Sequence, residues 1–276
     1  FHILSTFLPC ADPVEAKRLF DALPERYRFY VPIYGSHADV HDRVTGLPGS
    51  FDDLVDAVGH LRRLMAEEQH LKGDEARKGT VIFTTVIVSQ NVSDLVGMRD
   101  LVRPWADWWE VHMAFPNTSS RRDRYRDVAL PMRQVLEAVY PKGWHRVADL
   151  ELGELLPCMA YHHQVATDHR LLTPRRIRER KLEPSGTYYE TIGFTHSMGE
   201  GKPIAFTSAT VPCPHQTTCS LFGICPGKVY RAYDELFGCD ELRPVCIDEL
   251  RALPDGDEMV TLVEEASGNP LGSDGP

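Results

Sequence analysis

Apolar positions in the first half of the chain switch between a period of two and a period of about 3.6. Residues 1–6 (FHILST) form a short apolar run and predict a strand. Residues 12–23 (DPVEAKRLFDAL) set Val14, Leu19, Phe20 and Leu23 on one helical face, with Asp12 placed as N-cap and Pro13 at the first helical position. Residues 27–34 (YRFYVPIY) are aromatic and β-branched and predict a strand, although Pro32 removes a ladder donor and argues against a regular central one. Residues 50–65 (SFDDLVDAVGHLRRLM) return to the helical period, with Ser50 as N-cap and Asp53 three residues on. The polar stretch 67–78 reads as a loop. Residues 80–88 (TVIFTTVIV) are the strongest strand, apolar enough for burial on both faces of a parallel sheet. A helix over 92–102, a strand over 109–115 and one long amphipathic helix over 121–140 follow.

This β-α-β-α-β-α-β-α order predicts an α/β fold, a parallel sheet or barrel with right-handed crossovers. Ligands in such folds sit at the carboxyl ends of the strands. Those ends are Ser5-Thr6, Tyr34-Gly35-Ser36, Val88-Ser89-Gln90-Asn91 and Phe115-Pro116-Asn117. After a break at Pro141-Lys142-Gly143 the pattern changes to short strands and turns over 144–212, then a cysteine cluster and a helix over about 226–237. Three parts are therefore expected: a domain over 1–142, a second over 143–250, and a largely disordered tail over 251–276, whose end (EEASGNPLGSDGP) is polar and rich in Gly and Pro.

Composition narrows the classes. The 276 residues are 42% apolar and 25% charged, as in ordinary globular proteins. A net charge of −10, from 30 Lys+Arg against 40 Asp+Glu, argues against a general binder of nucleic acid or anionic membranes, which must neutralise phosphates. No apolar run reaches the length of a membrane span. The N-terminal residues lack the basic flank and cleavage pattern of a signal peptide, so a cytoplasmic location is expected. They also lack an initiator Met, so the chain is expected to begin inside a larger protein. The basic stretch 175–181 (RRIRERK) reads as a solvated segment or as a patch for an anionic partner.

Seven cysteines are present, and Cys213, Cys219, Cys225, Cys239 and Cys246 crowd one short segment. An odd count without an export signal disfavours a secreted disulfide scaffold. In CPHQTTCSLFGICPG the first three stand at equal spacing, C-x5-C-x5-C, and Cys158 in LLPCMAY is a fourth candidate. Four thiolates can close the coordination of a [4Fe–4S] cluster, one on each iron. Gly223 and Gly227 beside the ligands permit close backbone approach. Two other readings stay open. Zinc could take Cys213, His215, Cys219 and Cys225, although the x5 spacings are wider than usual zinc knuckles. The thiols could also be buried packing groups without metal. Cys10 is expected to be unliganded, and Cys239 and Cys246 to be structural or to replace one of the four.

Two stretches carry a family resemblance. VPIYGSHADVHDRVTGLPGSFDDLVDAVGHL resembles the fourth strand and following helix of radical S-adenosylmethionine (SAM) enzymes, through Gly35, Asp39, His41-Asp42-Arg43, Gly46 and Gly49-Ser50-Phe51. TVIFTTVIVSQN resembles the fifth strand, whose end commonly carries an Asn, here Asn91, and WEVHMAFPN resembles the sixth. CSLFGICPGKVYRAYDELFGCDELRPV resembles the auxiliary-cluster region of SPASM or twitch-type members at Cys225, Gly227, Tyr233, Gly238, Glu241 and Pro244, with Pro157-Cys158 upstream. Two departures stand out. The defining CxxxCxxC and the Gly-Gly-Glu after the second strand are absent, and Pro32 and Tyr34 replace the Ser and Asp frequent in the fourth strand.

The resemblance implies a partial (β/α)6 TIM-like barrel, strands 3 to 6 being present, with a small C-terminal cysteine-rich iron–sulfur domain. It implies that SAM cleavage at a [4Fe–4S] cluster, held by the missing N-terminal part, generates a 5′-deoxyadenosyl radical that modifies a peptide or small-molecule substrate, with flavodoxin or ferredoxin as electron donor. The protein would orient SAM and exclude water. Ser36 would reach the ribose, Ser89 and Asn91 the ribose or carboxylate, and Phe115 the adenine; each also reads as a turn or packing residue. An auxiliary [4Fe–4S] cluster would sit on Cys158, Cys213, Cys219 and Cys225. His112 reads as a satisfied core histidine, and His162-His163 as surface or cluster-shell residues. Against this oxidoreductase or maturase stand a zinc- or cluster-stabilised α/β binding protein without chemistry, and an ordinary barrel enzyme using the polar strand ends.

Overall fold

The structure, a computed structural model, describes residues 1–114, 122–140, 150–152, 156–167, 170–175, 177–178, 210–225 and 227–267. It divides into two compact units. The described part of the first is 1–114, 127–130 and 150–152, and the second takes the rest. The two interleave along the sequence, since residues 127–130 and 150–152 group with the first.

The first unit is a mixed α/β layer structure on a five-stranded parallel sheet, ordered β1 (His2–Leu4), β2 (Arg26–Pro32), β3 (Lys78–Ile87), β4 (Trp108–Met113) and β5 (Leu150–Leu152). Alternation places Tyr27, Phe29 and Val31 of β2 and Trp109, Val111 and Met113 of β4 in the core, where β3 adds Val81, Phe83, Thr85 and Ile87. Ile82 is buried on the opposite face, so β3 alone approaches the two-sided burial its sequence predicts. The Thr85 hydroxyl in this core is satisfied: Oγ1 donates to the Ile33 carbonyl (2.9 Å) and accepts from Trp109 Nε1 (2.9 Å).

Helices α1 (Pro13–Asp21) and α3 (Ser50–Lys72) pack together through Ala16 and Phe20 of one and Leu54, Ala57, Val58 and Leu61 of the other. Asp12 caps α1 as its position suggests, its Oδ1 accepting from Val14 N at 2.7 Å. Two expectations about α3 are corrected. Ser50 is its first residue rather than its cap. The orphan donors are met by Asp42 of α2 (Ala38–Thr45), which accepts from Gly49 N (2.6 Å), Phe51 N (2.9 Å) and Ser50 Oγ (2.9 Å). The helix also runs through 67–72, where a loop was expected. Glu68 there is buried, and its carboxylate takes Arg77 Nε (2.9 Å) and Lys72 Nζ (2.8 Å), while Arg77 reaches the carbonyls of Phe20 and Leu23 and stacks 4.2 Å above the Phe20 ring. A polar segment becomes helical because its acid has a buried partner set.

The long helix expected over 121–140 is two: α5 (Arg122–Val128) and α6 (Met132–Val139). Pro131 separates them, since it cannot donate and its ring disfavours helix in the residue before it. In the second unit, α6 buries Met132, Val135, Leu136 and Val139, and α7 (Pro157–Thr167) buries Cys158, Met159, Ala160 and Tyr161. An antiparallel pair, β6 (Thr210–Pro212) with β7 (Lys228–Tyr230), leads into α8 (Arg231–Phe237) and α9 (Ile247–Arg251). The expected disordered tail over 251–276 is corrected over its first part. Residues 256–267 form α10 (Gly256–Ser267), which buries Met259, Val260, Leu262 and Val263 at helical spacing. Residues 268–276 lie outside the described ones.

Candidate functional site

The cysteine run is the excursion of a hairpin. Pairing of Pro212 with Lys228 brings the two ends of the 213–227 loop side by side, and Cys213 N donates to the Gly227 carbonyl at 2.9 Å. Gly227 takes φ +63°, a left-handed conformation that suits glycine, and its carbonyl also accepts from Gln216 Nε2 at 2.7 Å. Between the ends, two turns carry the chain around a centre. Cys219 N donates to the His215 carbonyl (3.0 Å), then a 3₁₀ turn over Ser220–Ile224 buries Leu221 and Ile224 and returns the chain at Cys225, whose N–H donates to the Phe222 carbonyl (3.2 Å). The 3₁₀ turn rests against α10, where the absence of a side chain at Gly223 leaves room for Ser267.

Cys158, in the first turn of α7, faces the same centre. One cavity is lined by all four expected sulfurs, Cys158, Cys213, Cys219 and Cys225. His215, Phe222, Gly227, Leu242 and Arg243 complete much of its wall. Pro244, named in the resemblance, lines it beside Leu242 and Arg243, and the next residue ties this segment, 242–245, to the loop: Ser220 N donates to the Val245 carbonyl (2.8 Å), and Val245 N points back at Cys219 Sγ (3.5 Å). Backbone N–H groups aimed at sulfur are what a negatively charged thiolate set requires. All seven cysteines are free thiols. Burial pushes the Cys158 thiol far above the ordinary cysteine range, and the neighbouring sulfurs of Cys225, Cys219 and Cys213 push it further.

The remaining cysteines are placed elsewhere. Cys10 is buried in the first unit and its thiol is raised by burial and then by Glu15. Cys239 Sγ donates to Asp234 Oδ1 (3.0 Å), and burial followed by that carboxylate pushes its pKa up to about 12. Cys246 is exposed at the N-cap of α9, its N–H bound to Glu249 Oε2 (2.8 Å). None of the three lines the cavity. Two positions of the resemblance prove to be caps: Tyr233 Oη (2.8 Å) and Glu241 Oε1 (3.0 Å) both accept from Met132 N at the start of α6. His162 Nε2 donates to the Arg243 carbonyl (3.2 Å) and so fastens α7 to the 242–245 wall, while the buried His163 donates to the Tyr140 carbonyl (3.0 Å).

The strand-end residues lie in the first unit, and their polar atoms are engaged. Ser36 gives its N–H (2.5 Å) and Oγ (2.6 Å) to Asp94. Asn91 is wholly buried; its Oδ1 accepts from Val88 N (2.8 Å) and its Nδ2 donates to the Val86 carbonyl (3.1 Å), closing the turn after β3. Ser89 Oγ donates to the Asp127 carbonyl (2.9 Å). Phe115 lies outside the described residues. His112 stands 3.7 Å from Glu110 on β4. His41 is buried, its Nδ1 accepting from Tyr34 N (3.2 Å), and burial holds its pKa below the usual value. In the basic stretch, Arg178 pairs with Glu258. No helix among the described residues is long and apolar enough to cross a membrane. Comparisons with protein-family models, curated proteins and solved structures found no match for this chain.

Proposed function

We propose that the second unit holds an auxiliary [4Fe–4S] cluster on Cys158, Cys213, Cys219 and Cys225, and that the chain is part of a radical SAM enzyme acting on a peptide or small molecule. The observation that carries this is the meeting of Cys158 with the sequence-distant run Cys213, Cys219 and Cys225 at one cavity. A mononuclear tetrahedral site draws its sulfurs to about 2.3 Å from one ion. Among the described residues no group of three or more His, Cys, Asp or Glu side chains is arranged to hold a metal ion, so the reading rests on the shared cavity and on the cysteine spacing. When bound, such a cluster supplies one-electron transfer or an electrophilic iron. The chain's part is to present four thiolates, to aim the Val245 N–H at Cys219, and to surround them with Leu221, Phe222 and Leu242.

The catalytic half rests on the sequence resemblance together with the parallel sheet of the first unit, read as part of a (β/α)6 barrel. The CxxxCxxC that SAM cleavage requires is not in these 276 residues, so this half is tested on the full polypeptide its gene encodes. Reduced with dithionite, that polypeptide is expected to convert SAM to methionine and 5′-deoxyadenosine. A full-length product that carries no CxxxCxxC, or yields no 5′-deoxyadenosine, defeats the enzyme reading while leaving the cluster site standing. A zinc site is the second reading, and one observation favours it: His215 lines the cavity beside Cys213, Cys219 and Cys225. One zinc per chain without iron would establish it.

A further inference from the structure

Phe222 occupies an unusual position in the 3₁₀ turn between Cys219 and Cys225. Its neighbours Leu221 and Ile224 are buried, so the turn itself is anchored. Phe222 instead lines the thiol cavity while leaving 45% of its surface in solvent. Cys213, Cys219 and Cys225 on the same cavity are only part-buried. Its ring has a fitted seat: a Cβ at Gly227 would fall 2.5 Å from ring carbon Cε2, so the ring edge sits against a residue that has no side chain. The seat is held by two independent bonds to the Gly227 carbonyl, from Cys213 N (2.9 Å) and Gln216 Nε2 (2.7 Å). An aromatic ring kept half in water carries a hydrophobic penalty that an outward polar residue would avoid.

We propose that Phe222 is the cover of the thiol cavity: its ring, seated on Gly227, limits the access of water and solutes to Cys213, Cys219 and Cys225. The role rests on the metal–sulfur reading of that cavity for its purpose, since solvent access governs how firmly such a site keeps its metal. It makes Phe222 a shielding residue, with no contact to reacting atoms.

The test does not need metal. The metal-free, reduced chain is treated with iodoacetamide, in which thiol sulfur displaces iodide and the thiol proton passes to solvent. Peptide mass spectrometry reads the rate at each cysteine. Rates at Cys213, Cys219 and Cys225 are divided by the rate at Cys239, a part-buried thiol of the same unit outside the cavity lining, so a general loosening of that unit cancels. In Phe222→Ala the ratio is expected to rise severalfold at those three positions; in Phe222→Leu, which keeps an apolar cover, it stays near the parent. Val165→Ala, which removes an exposed apolar side chain of α7 outside the cavity lining, leaves it unchanged. On iron-loaded chain under anaerobic conditions, EDTA is expected to bleach the Phe222→Ala protein about tenfold faster than the parent. Ratios in Phe222→Ala equal to those of the parent overturn the proposal. Failure of the parent to take up any metal would defeat the metal reading alone, because the alkylation ratios are measured without it.

Discussion

Replacing Asn91 by Ala separates a structural role from a ligand-binding one. The side chain is wholly buried, and two bonds tie it to its own turn, from Val88 N at 2.8 Å and to the Val86 carbonyl at 3.1 Å. Alanine strands one N–H and one C=O at the end of the central strand, and each stranded buried group costs about 1–3 kcal/mol. Partial rescue by water lowers the sum, which leaves an expected loss of about 2–4 kcal/mol, or a fall in melting temperature of roughly 4–16 °C for a protein of this size. Tryptophan fluorescence reports chiefly on the right unit, because three of the four tryptophans, Trp105, Trp108 and Trp109, lie in the first. Thermal and urea unfolding of parent and variant then give the difference. Asn91→Asp keeps the acceptor for Val88 but sets a carboxylate oxygen against the Val86 carbonyl, so it is expected to lose at least as much at neutral pH. An Asn91→Ala chain as stable as the parent would refute the argument and return the amide to the pool of free ligand contacts.

Three further outcomes follow from named contacts. Glu68→Ala leaves Arg77, only 18% exposed, without its carboxylate and is expected to cost roughly 3 kcal/mol. Lys72→Ala removes a 55% exposed partner and should cost under about 0.5 kcal/mol; equal losses in urea unfolding would contradict this ranking. For Glu68, burial works against the charge, but the hydrogen bonds and charges of Lys72 and Arg77 outweigh it and hold the carboxyl below the usual range. Its stabilisation is therefore present above the unfolded value and lost as pH falls, and a parent-minus-Glu68→Gln stability difference that does not shrink between about pH 5 and 3 would refute it. His41 has the opposite sign: burial depresses its folded pKa, so the unfolded chain takes the proton first and stability falls as pH drops through about 6.5. His41→Asn keeps an acceptor for Tyr34 N and is expected to flatten the melting-temperature slope between about pH 7.5 and 5.5, although His162, depressed in the same direction, preserves part of it. A variant with the parent's slope would remove His41 from the account.

Much of the first unit was legible because its signals are local. A strand such as 78–87 and a cap such as Asp12-Pro13 are written within a few neighbouring residues. The cap of α3 was not legible in the same way. Its acceptor, Asp42, sits seven and nine residues before the donors it serves, on another helix, whereas Ser50 had the right chemistry at the wrong position. The break at Pro131 was readable from the missing donor alone, and the apolar face Met259-Val260-Leu262-Val263 was readable from spacing; the Gly- and Pro-rich end of the chain obscured the latter. In the candidate site, equal cysteine spacing suggested convergence. What produces it is the β6–β7 pairing together with a wall from 242–245, and neither register is encoded in the cysteine spacing. The strand-end polar residues illustrate the reverse: Ser36 and Asn91 stand where ligands usually bind, yet Asp94 and the chain's own backbone already hold them.

The central claim is that four sulfurs hold one iron–sulfur guest. Anaerobic reconstitution of this chain with iron and sulfide, followed by metal analysis and Mössbauer spectroscopy, tests it most directly. The account predicts about four iron and four sulfide per chain with a [4Fe–4S] spectrum. That content should fall in Cys158→Ala, Cys213→Ala, Cys219→Ala and Cys225→Ala and persist in Cys10→Ala, Cys239→Ala and Cys246→Ala. Full iron content in a Cys213→Ala/Cys219→Ala double variant, or a parent chain that takes up no iron, would contradict it.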